Sequence, residues 1–362
     1  MLTADGCRAR RVRLWDSLRG QANVPALVLA DPIYLRYLAN FHVDPFSLGA
    51  DFGGLLVVRP DGHATVYHDR RLPGSVDAAH VDAREIVPWY DGQSPGTGPR
   101  RLTLLPALHA NGGRIHDALN DPLGPTATTA IAAMRRRKDP DEVEVLRACM
   151  RATEAGHAWA RANIRAGMTE LDVYEGVFAA CSTAAGRPVI VYGDFAVSPG
   201  PARRGGPPTR QVLRDGDMFI LDYSVVLLGY RSDFTNTLVV GGKPTADQRR
   251  LFDACVAAMR AGETELKAGA TCQRVYDAVR GSLAAAGLAD HFPHHAGHGL
   301  GLSHPEPPYI VRQSSETLLD GDVLTIEPGL YVDGVGGIRI EHNYLITATG
   351  FERLSNHTIA LT

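Results

Sequence analysis

The stretch Met218-Phe-Ile-Leu-Asp222-Tyr-Ser-Val-Val-Leu-Leu-Gly229-Tyr-Arg-Ser-Asp233-Phe-Thr-Asn-Thr-Leu-Val-Val240 decides the reading of this chain. Two apolar runs flank a turn containing Gly229, which is the pattern of a β-hairpin. With Val226–Gly229 as the loop, the hairpin centre falls between Leu227 and Leu228. Asp222 and Asp233 are then direct cross-strand partners, with Cβ atoms ~5 Å apart. Like charges so placed inside an apolar run are destabilising unless a cation lies between them. The construction recurs downstream. Residues 323–332 and 337–346 flank the loop Asp333-Gly-Val-Gly336, and Glu327 and Glu341 are symmetric about Gly334. A solvated sheet face would account for one such acid pair. Neither segment alternates apolar with polar residues, however, so both faces read as buried. Four buried acids need metal, protons or arginine partners, and Arg339 shares a strand face with Glu341.

Between the hairpins lies His294-His-Ala-Gly297-His298-Gly299-Leu-Gly301-Leu-Ser-His304-Pro-Glu306. Alternate glycines around His298 mark close approach by backbone or ligand. The run lacks the spacing of a dinucleotide fingerprint and opens no helix. Its glycines also argue against a helical zinc motif from His294 and His298. Four carboxylates and one imidazole suit one or two divalent ions such as Mn, Co, Zn or Fe. Two ions ~3.5–4 Å apart would turn a bridging water into hydroxide near neutral pH and polarise a carbonyl. Hydrolysis of an amide-like bond is the reaction class expected.

Working outward, the 362-residue chain is 44% hydrophobic and 21% charged with a formal charge of −3, values that exclude collagen-like, disordered and disulfide-scaffold classes. The mild negative charge leaves no footprint for nucleic acid, and no apolar run approaches the ~20 residues of a membrane span. The basic N-terminus lacks the apolar core of a secretory signal. Five cysteines without a CxxC pair read as reduced thiols in a cytoplasmic protein. Strands are expected at 25–30, 52–58 and 63–68, a loop at 91–101, and helices at 140–165, 169–186, 245–260 and 270–287. His42, Asp44 and Asp51 read as loop residues. The run Arg135–Lys138 reads as a solvated linker ahead of the helix that begins at Pro140.

The motifs LDYSVVLLGYRSDFTNT, GHGLGL, TIEPGLY and GGIRIEHN resemble, in order and spacing, those of the pita-bread metallohydrolases: prolidase, aminopeptidase P, creatinase and methionine aminopeptidase. The resemblance implies an α+β chain with a pita-bread catalytic domain over residues 138–362. Residues 1–134 look like the smaller N-terminal α/β domain of the creatinase, aminopeptidase P and prolidase branch, which methionine aminopeptidases lack. It further implies two divalent ions held by Asp222, Asp233, His298, Glu327 and Glu341, with Asp233 and Glu341 bridging. Glu327 would also shuttle a proton from the attacking water to the leaving amine. The implied activity is cleavage of the bond before proline in short peptides, by a homodimer.

Two departures from the family pattern bear on substrate. Where family peptidases carry a His ahead of the first hairpin, this chain has Gly205. Seven residues after His298, where they carry another, it has Pro305, with His304 one residue early and Glu306 following. His304 is expected to reach the site through a bulge or a turn at Pro305 and to stabilise the tetrahedral oxyanion. Arg203 and Arg204, beside Gly205, are either carboxylate-binding residues or solvated loop charges. A creatinase-like reaction on a non-peptide C–N substrate is the alternative, and a non-enzymatic binding module ranks last because all five ligand positions are filled.

Overall fold

The computed structural model describes every residue except 21–22, 47–52, 91, 94–97 and 119–125. Asp51, Phe52 and part of the 91–101 loop lie outside the described residues. Two compact units emerge: Met1–Arg135 with Asp139–Glu142, and Arg136–Lys138 with Val143–Thr362. All five cysteines are buried, and among the described residues none forms a disulfide. Among the described residues no helix is long and apolar enough to cross a membrane.

The first unit contains α1 (Ala4–Ser17), β1 (Leu27–Leu29), α2 (Pro32–Ala39), β2 (Leu55–Val58), β3 (Ala64–His68), α3 (Pro73–Asp77), β4 (Ala83–Ile86), α4 (Leu105–Ala110) and α5 (Thr126–Arg136, as far as Arg135). Its sheet runs β1-β2-β3-β4, antiparallel except for β3 against β4. The helix α1 has no counterpart among the sequence expectations, because its inward face carries Arg10 and Arg11 rather than apolar residues alone. Arg10 is fully buried and binds Asp139 and Asp141 at 2.9 Å each and the Tyr37 carbonyl at 2.8 Å. These bonds explain why residues 139–142 belong to this unit. Breaking such a buried pair costs ~3–5 kcal/mol.

The second unit holds α6 (Pro140–Asn163, from Val143 onward), α7 (Glu170–Ala185), β5 (Ile190–Val197), β6 (Met218–Leu227), β7 (Tyr230–Arg231), β8 (Phe234–Val239), α8 (Ala246–Glu263) and α9 (Cys272–Ala285). Then come β9 (Gly297–Gly299), β10 (Glu306–Ile310), β11 (Val323–Ile326), β12 (Gly329–Val332), β13 (Gly336–Arg339), β14 (His342–Ile346) and β15 (Phe351–Arg353). Capping boxes start α7 (Thr169 with Asp172) and α8 (Thr245 with Gln248), which satisfies amide donors that a helix start leaves orphaned. On α9 the buried positions Cys272, Val275, Tyr276, Val279 and Leu283 form one stripe. That stripe and its α8 counterpart cover the strands that carry the hairpins. Each aliphatic side chain so buried contributes ~1.5–3 kcal/mol.

The first hairpin differs from expectation. Leu227 pairs with Tyr230 around a two-residue turn, Leu228-Gly229, with φ of 53° and 85°. Positive φ at both positions is the primed turn whose twist suits a tight hairpin. The centre therefore lies one residue later than a Val226–Gly229 loop would put it, and Asp222 faces Thr235 on β8, not Asp233. A two-residue shift of register preserves the face of every side chain, so Asp233 stays on the Asp222 side, with Ser224 Oγ 3.3 Å from its Oδ1. In the second hairpin the symmetry about Gly334 holds on both flanks. Gly329 pairs with Arg339, and Ile326 with His342, so Glu327 and Glu341 occupy symmetric positions in the gap between two ladders.

The basic run is a second correction. Lys138 is buried and paired with Glu306 at 2.8 Å, and Arg136 binds Asp322. These are internal ion pairs of the second unit and not a solvated linker.

Candidate metal centre

Strands β5, β6 and β9 and the segments that flank β8, β10 and β11 bring the acids and imidazoles to one cavity of about 440 Å3. Its walls include Asp194, Asp222, Asp233, His298, His304 and Glu327. Glu341 lies just behind, buried, with Oε2 accepting from Thr235 Oγ1 at 2.7 Å. Two donor triplets converge, Asp233–His298–His304 and Asp222–Asp233–Glu341, and within each the ligand atoms lie within 4.8 Å of one another. Asp233 belongs to both. Its backbone is fixed by Asn343, whose Oδ1 accepts from the Asp233 amide at 3.1 Å and whose Nδ2 donates to the Asp233 carbonyl.

His298 is aimed by its own strand. Its Nδ1 lies 3.0 Å from the Gly299 carbonyl, so the proton sits there. Nε2 is left facing Asp233 Oδ2 at 3.5 Å and Glu327 Oε1 at 3.4 Å. The glycines on either side serve backbone approach: a Cβ at Gly297 or Gly299 would lie 2.0 Å from the Thr325 carbonyl or 2.2 Å from the Pro307 carbonyl. Glu327 accepts from Thr325 Oγ1 at 3.1 Å and has His295 Nδ1 at 3.3 Å. Burial opposes its ionisation, yet His295, His298 and His294 hold its carboxyl well below the usual range.

His304 enters the site despite the Pro305 offset. Its Nε2 is 2.6 Å from Asp233 Oδ2 and its ring centre is 4.8 Å from that of His298. The β9–β10 ladder is irregular just beyond it: Glu306 pairs with Gly299, but the next partner of His298 is Tyr309.

Arg339 does not pair with Glu341. Its guanidinium joins two acids that β5 and β6 place directly opposite one another, Asp194 and Asp222. Nε is 2.6 Å from Asp222 Oδ2, a second nitrogen binds Asp194, and Nη1 donates to the Tyr331 hydroxyl at 2.6 Å. Sequence reasoning missed Asp194. The available signal was a lone acid in the strand Ile190–Val197, which pairs along β6. Of the two loop arginines, Arg203 is committed, because it forks onto buried Glu170 at 2.7 and 2.9 Å. Arg204 lines the cavity.

The donor set fits divalent cations. Glu341 Oε1 is buried with no hydrogen-bond partner among the described residues, an orphan that a cation would satisfy. Burial, opposed by Arg339 and reinforced by Asp233, pushes the Asp222 carboxyl up to about 7. Burial and then Asp233 push Glu341 well above its ordinary value. More carboxylates face each other here than the nearby cations of the protein neutralise.

A sequence profile of metallopeptidase family M24 matches residues 144–348. The probable dipeptidase PepE of Mycobacterium tuberculosis (strain ATCC 25618 / H37Rv) is 30% identical over 365 residues, which cover 96% of this chain and 94% of that protein. Crystalline dipeptidase PepE from Mycobacterium ulcerans is 27% identical with a TM-score of 0.77, over 100% of this chain and 99% of that one. The Xaa-Pro dipeptidase from Bacillus anthracis shares the fold at a TM-score of 0.77, with 22% identity over 98% and 99% of the two chains. The chain is thus an α+β pita-bread protein of the creatinase, aminopeptidase P and prolidase branch, and it belongs to metallopeptidase family M24.

Proposed function

We propose that this chain is a dipeptidase-like hydrolase of short peptides, cleaving the bond before proline, with two divalent ions held by Asp222, Asp233, His298, Glu327 and Glu341. The observation that carries the reading is the pair of donor triplets sharing Asp233, with the orphaned Glu341 Oε1 behind them. When bound, the ions would supply the positive charge that activates water and polarises the scissile carbonyl. The protein's own groups do the rest. Glu327, held ionised, accepts a proton from the attacking water and returns it to the departing amine. His304, poised 2.6 Å from Asp233, donates a hydrogen bond to the oxygen that becomes negative in the tetrahedral state. Arg339 keeps Asp222 oriented and offsets its charge.

Support for a peptide substrate comes from the dipeptidase relatives, while preference for proline rests on the family likeness. In the same reading the protein is a cytoplasmic homodimer, which light scattering and cell fractionation test. The deciding experiment is hydrolysis of Xaa-Pro and other dipeptides and tripeptides by chelated, then Mn- or Co-reloaded, protein. Metal-dependent release of the N-terminal residue is expected. Bound metal without turnover of any peptide would instead favour a non-peptide C–N substrate.

A further inference from the structure

The loop Arg203–Gly206 runs along the cavity wall with its backbone secured from both sides. Arg203 is forked onto buried Glu170, and its carbonyl accepts from Ser198 Oγ at 2.6 Å. The Gly206 amide donates to Asp194 Oδ1 at 2.8 Å, and its carbonyl accepts from the Phe195 amide at 2.9 Å. Between these anchors the Arg204 carbonyl accepts from Arg339 Nη1 at 3.4 Å. Only the Arg204 side chain is left uncommitted. It is exposed and lines the cavity, and among the described residues no carboxylate pairs with it.

The other charges on the cavity wall are four carboxylates and Arg339, which Asp194 and Asp222 already engage. Nearby Arg231 is committed to the Leu302 carbonyl and the Tyr192 hydroxyl. An anionic group entering this cavity therefore meets one free guanidinium among the described residues. The Arg204 backbone and the Asp222 carboxylate are separated only by the Arg339 guanidinium and its hydrogen bonds. One residue beyond the cleaved bond adds ~3.3–3.6 Å of chain, and the long Arg204 side chain covers the remainder.

We infer that Arg204 binds the free α-carboxylate of the residue on the leaving side, so that the site selects dipeptides over longer or C-terminally capped peptides. The planar guanidinium matches a carboxylate with two parallel hydrogen bonds, which an ammonium cannot reproduce. This inference rests on the peptide-hydrolase reading above.

The test compares a dipeptide with its C-terminal amide on metal-loaded protein, in wild type, Arg204→Ala and Arg204→Lys, with thermal midpoints to confirm folding. Wild type should prefer the free dipeptide. Arg204→Ala should shrink the ratio of kcat/KM values roughly 10- to 100-fold, through KM rather than kcat. Arg204→Lys should fall between. Equal losses on both substrates, or an unchanged ratio, overturn the inference and leave the hydrolase reading intact. If wild type cleaves no peptide, the hydrolase reading falls. Calorimetric titration of the metal-loaded protein with the same two compounds then decides this inference, and equal binding of both overturns it.

Discussion

The Asp194 carboxylate occupies the space that a side chain at Gly205 would need: a Cβ built there lies 1.9 Å from Asp194 Oδ2. That oxygen is also the one Arg339 holds. The missing histidine is therefore not a gap waiting to be filled, because an acid and a guanidinium already fill it.

Gly205→His is accordingly expected to lose about 1–3 kcal/mol of stability through overpacking and to disturb Arg339. Differential scanning calorimetry should show the loss, and the pair Asp194→Ala with Gly205→His should recover most of it. A single Gly205→His variant as stable as wild type would contradict the observed packing.

Asp233→Ala removes the residue common to both donor triplets. Metal content by mass spectrometry should fall by more than about 100-fold relative to wild type, and peptide turnover should vanish. Added Mn should raise the melting temperature of wild type, since a ligand of the folded state alone stabilises it, and leave the variant unmoved. Retention of full metal content by the variant would remove Asp233 from the centre.

His304→Ala tests the residue displaced by one position. A drop in kcat of about 100-fold with metal content retained is the expected result. An unchanged kcat/KM would return His304 to an ordinary wall of the cavity.

The Lys138–Glu306 pair is buried on both sides. Lys138→Met alone leaves an uncompensated carboxylate and should cost about 3–5 kcal/mol in urea unfolding, as should Glu306→Gln from the other side. The double replacement Lys138→Met, Glu306→Leu should cost far less than the sum. Additive losses would show that the two residues act independently.

Acid should loosen the second unit through its buried imidazoles. In the core His157 stacks on Tyr223 and Phe234, His357 on Phe234, and His342 meets His357 edge-on. Burial, with a lesser lift from the Thr235 carbonyl, lowers His357 to about 4, and burial drives His157 the same way. An unfolded histidine protonates near 6.5, so the stability that each neutral ring contributes is present above that pH. It drains away as pH falls towards the folded value, by up to about 1.4 kcal/mol per pH unit. Melting temperatures at pH 7.5 and 5 should diverge less for His357→Gln than for wild type. An equal drop would assign the acid sensitivity to other groups.

How much of this was readable beforehand follows from how far each interaction reaches along the chain. The residues flanking Glu327 and Glu341 pair symmetrically about Gly334, because strand registry transmits a turn's position faithfully. Asp222 and Asp233 were placed on the correct face but in the wrong register. Nothing local announces that Leu228 adopts a positive φ. The partners of Arg203, Arg136 and Lys138 lie 33, 186 and 168 residues away, and periodicity carries no information about such pairings. A basic run therefore looks solvated until the fold supplies its acids. Asp194 was missed for the same reason, since an isolated acid gains meaning only from the strand beside it.

The buried Lys138–Glu306 bond also sets where the second unit can be cut free. The family match begins at residue 144, yet the cation that neutralises Glu306, three residues from Ser303 in the loop that carries His304, comes from Lys138, and Asp322 relies on Arg136. A fragment trimmed to the matched segment would keep every proposed ligand and still strand two carboxylates inside the protein. The portable unit of this enzyme therefore starts upstream of Arg136, in a stretch that a comparison of motifs leaves out.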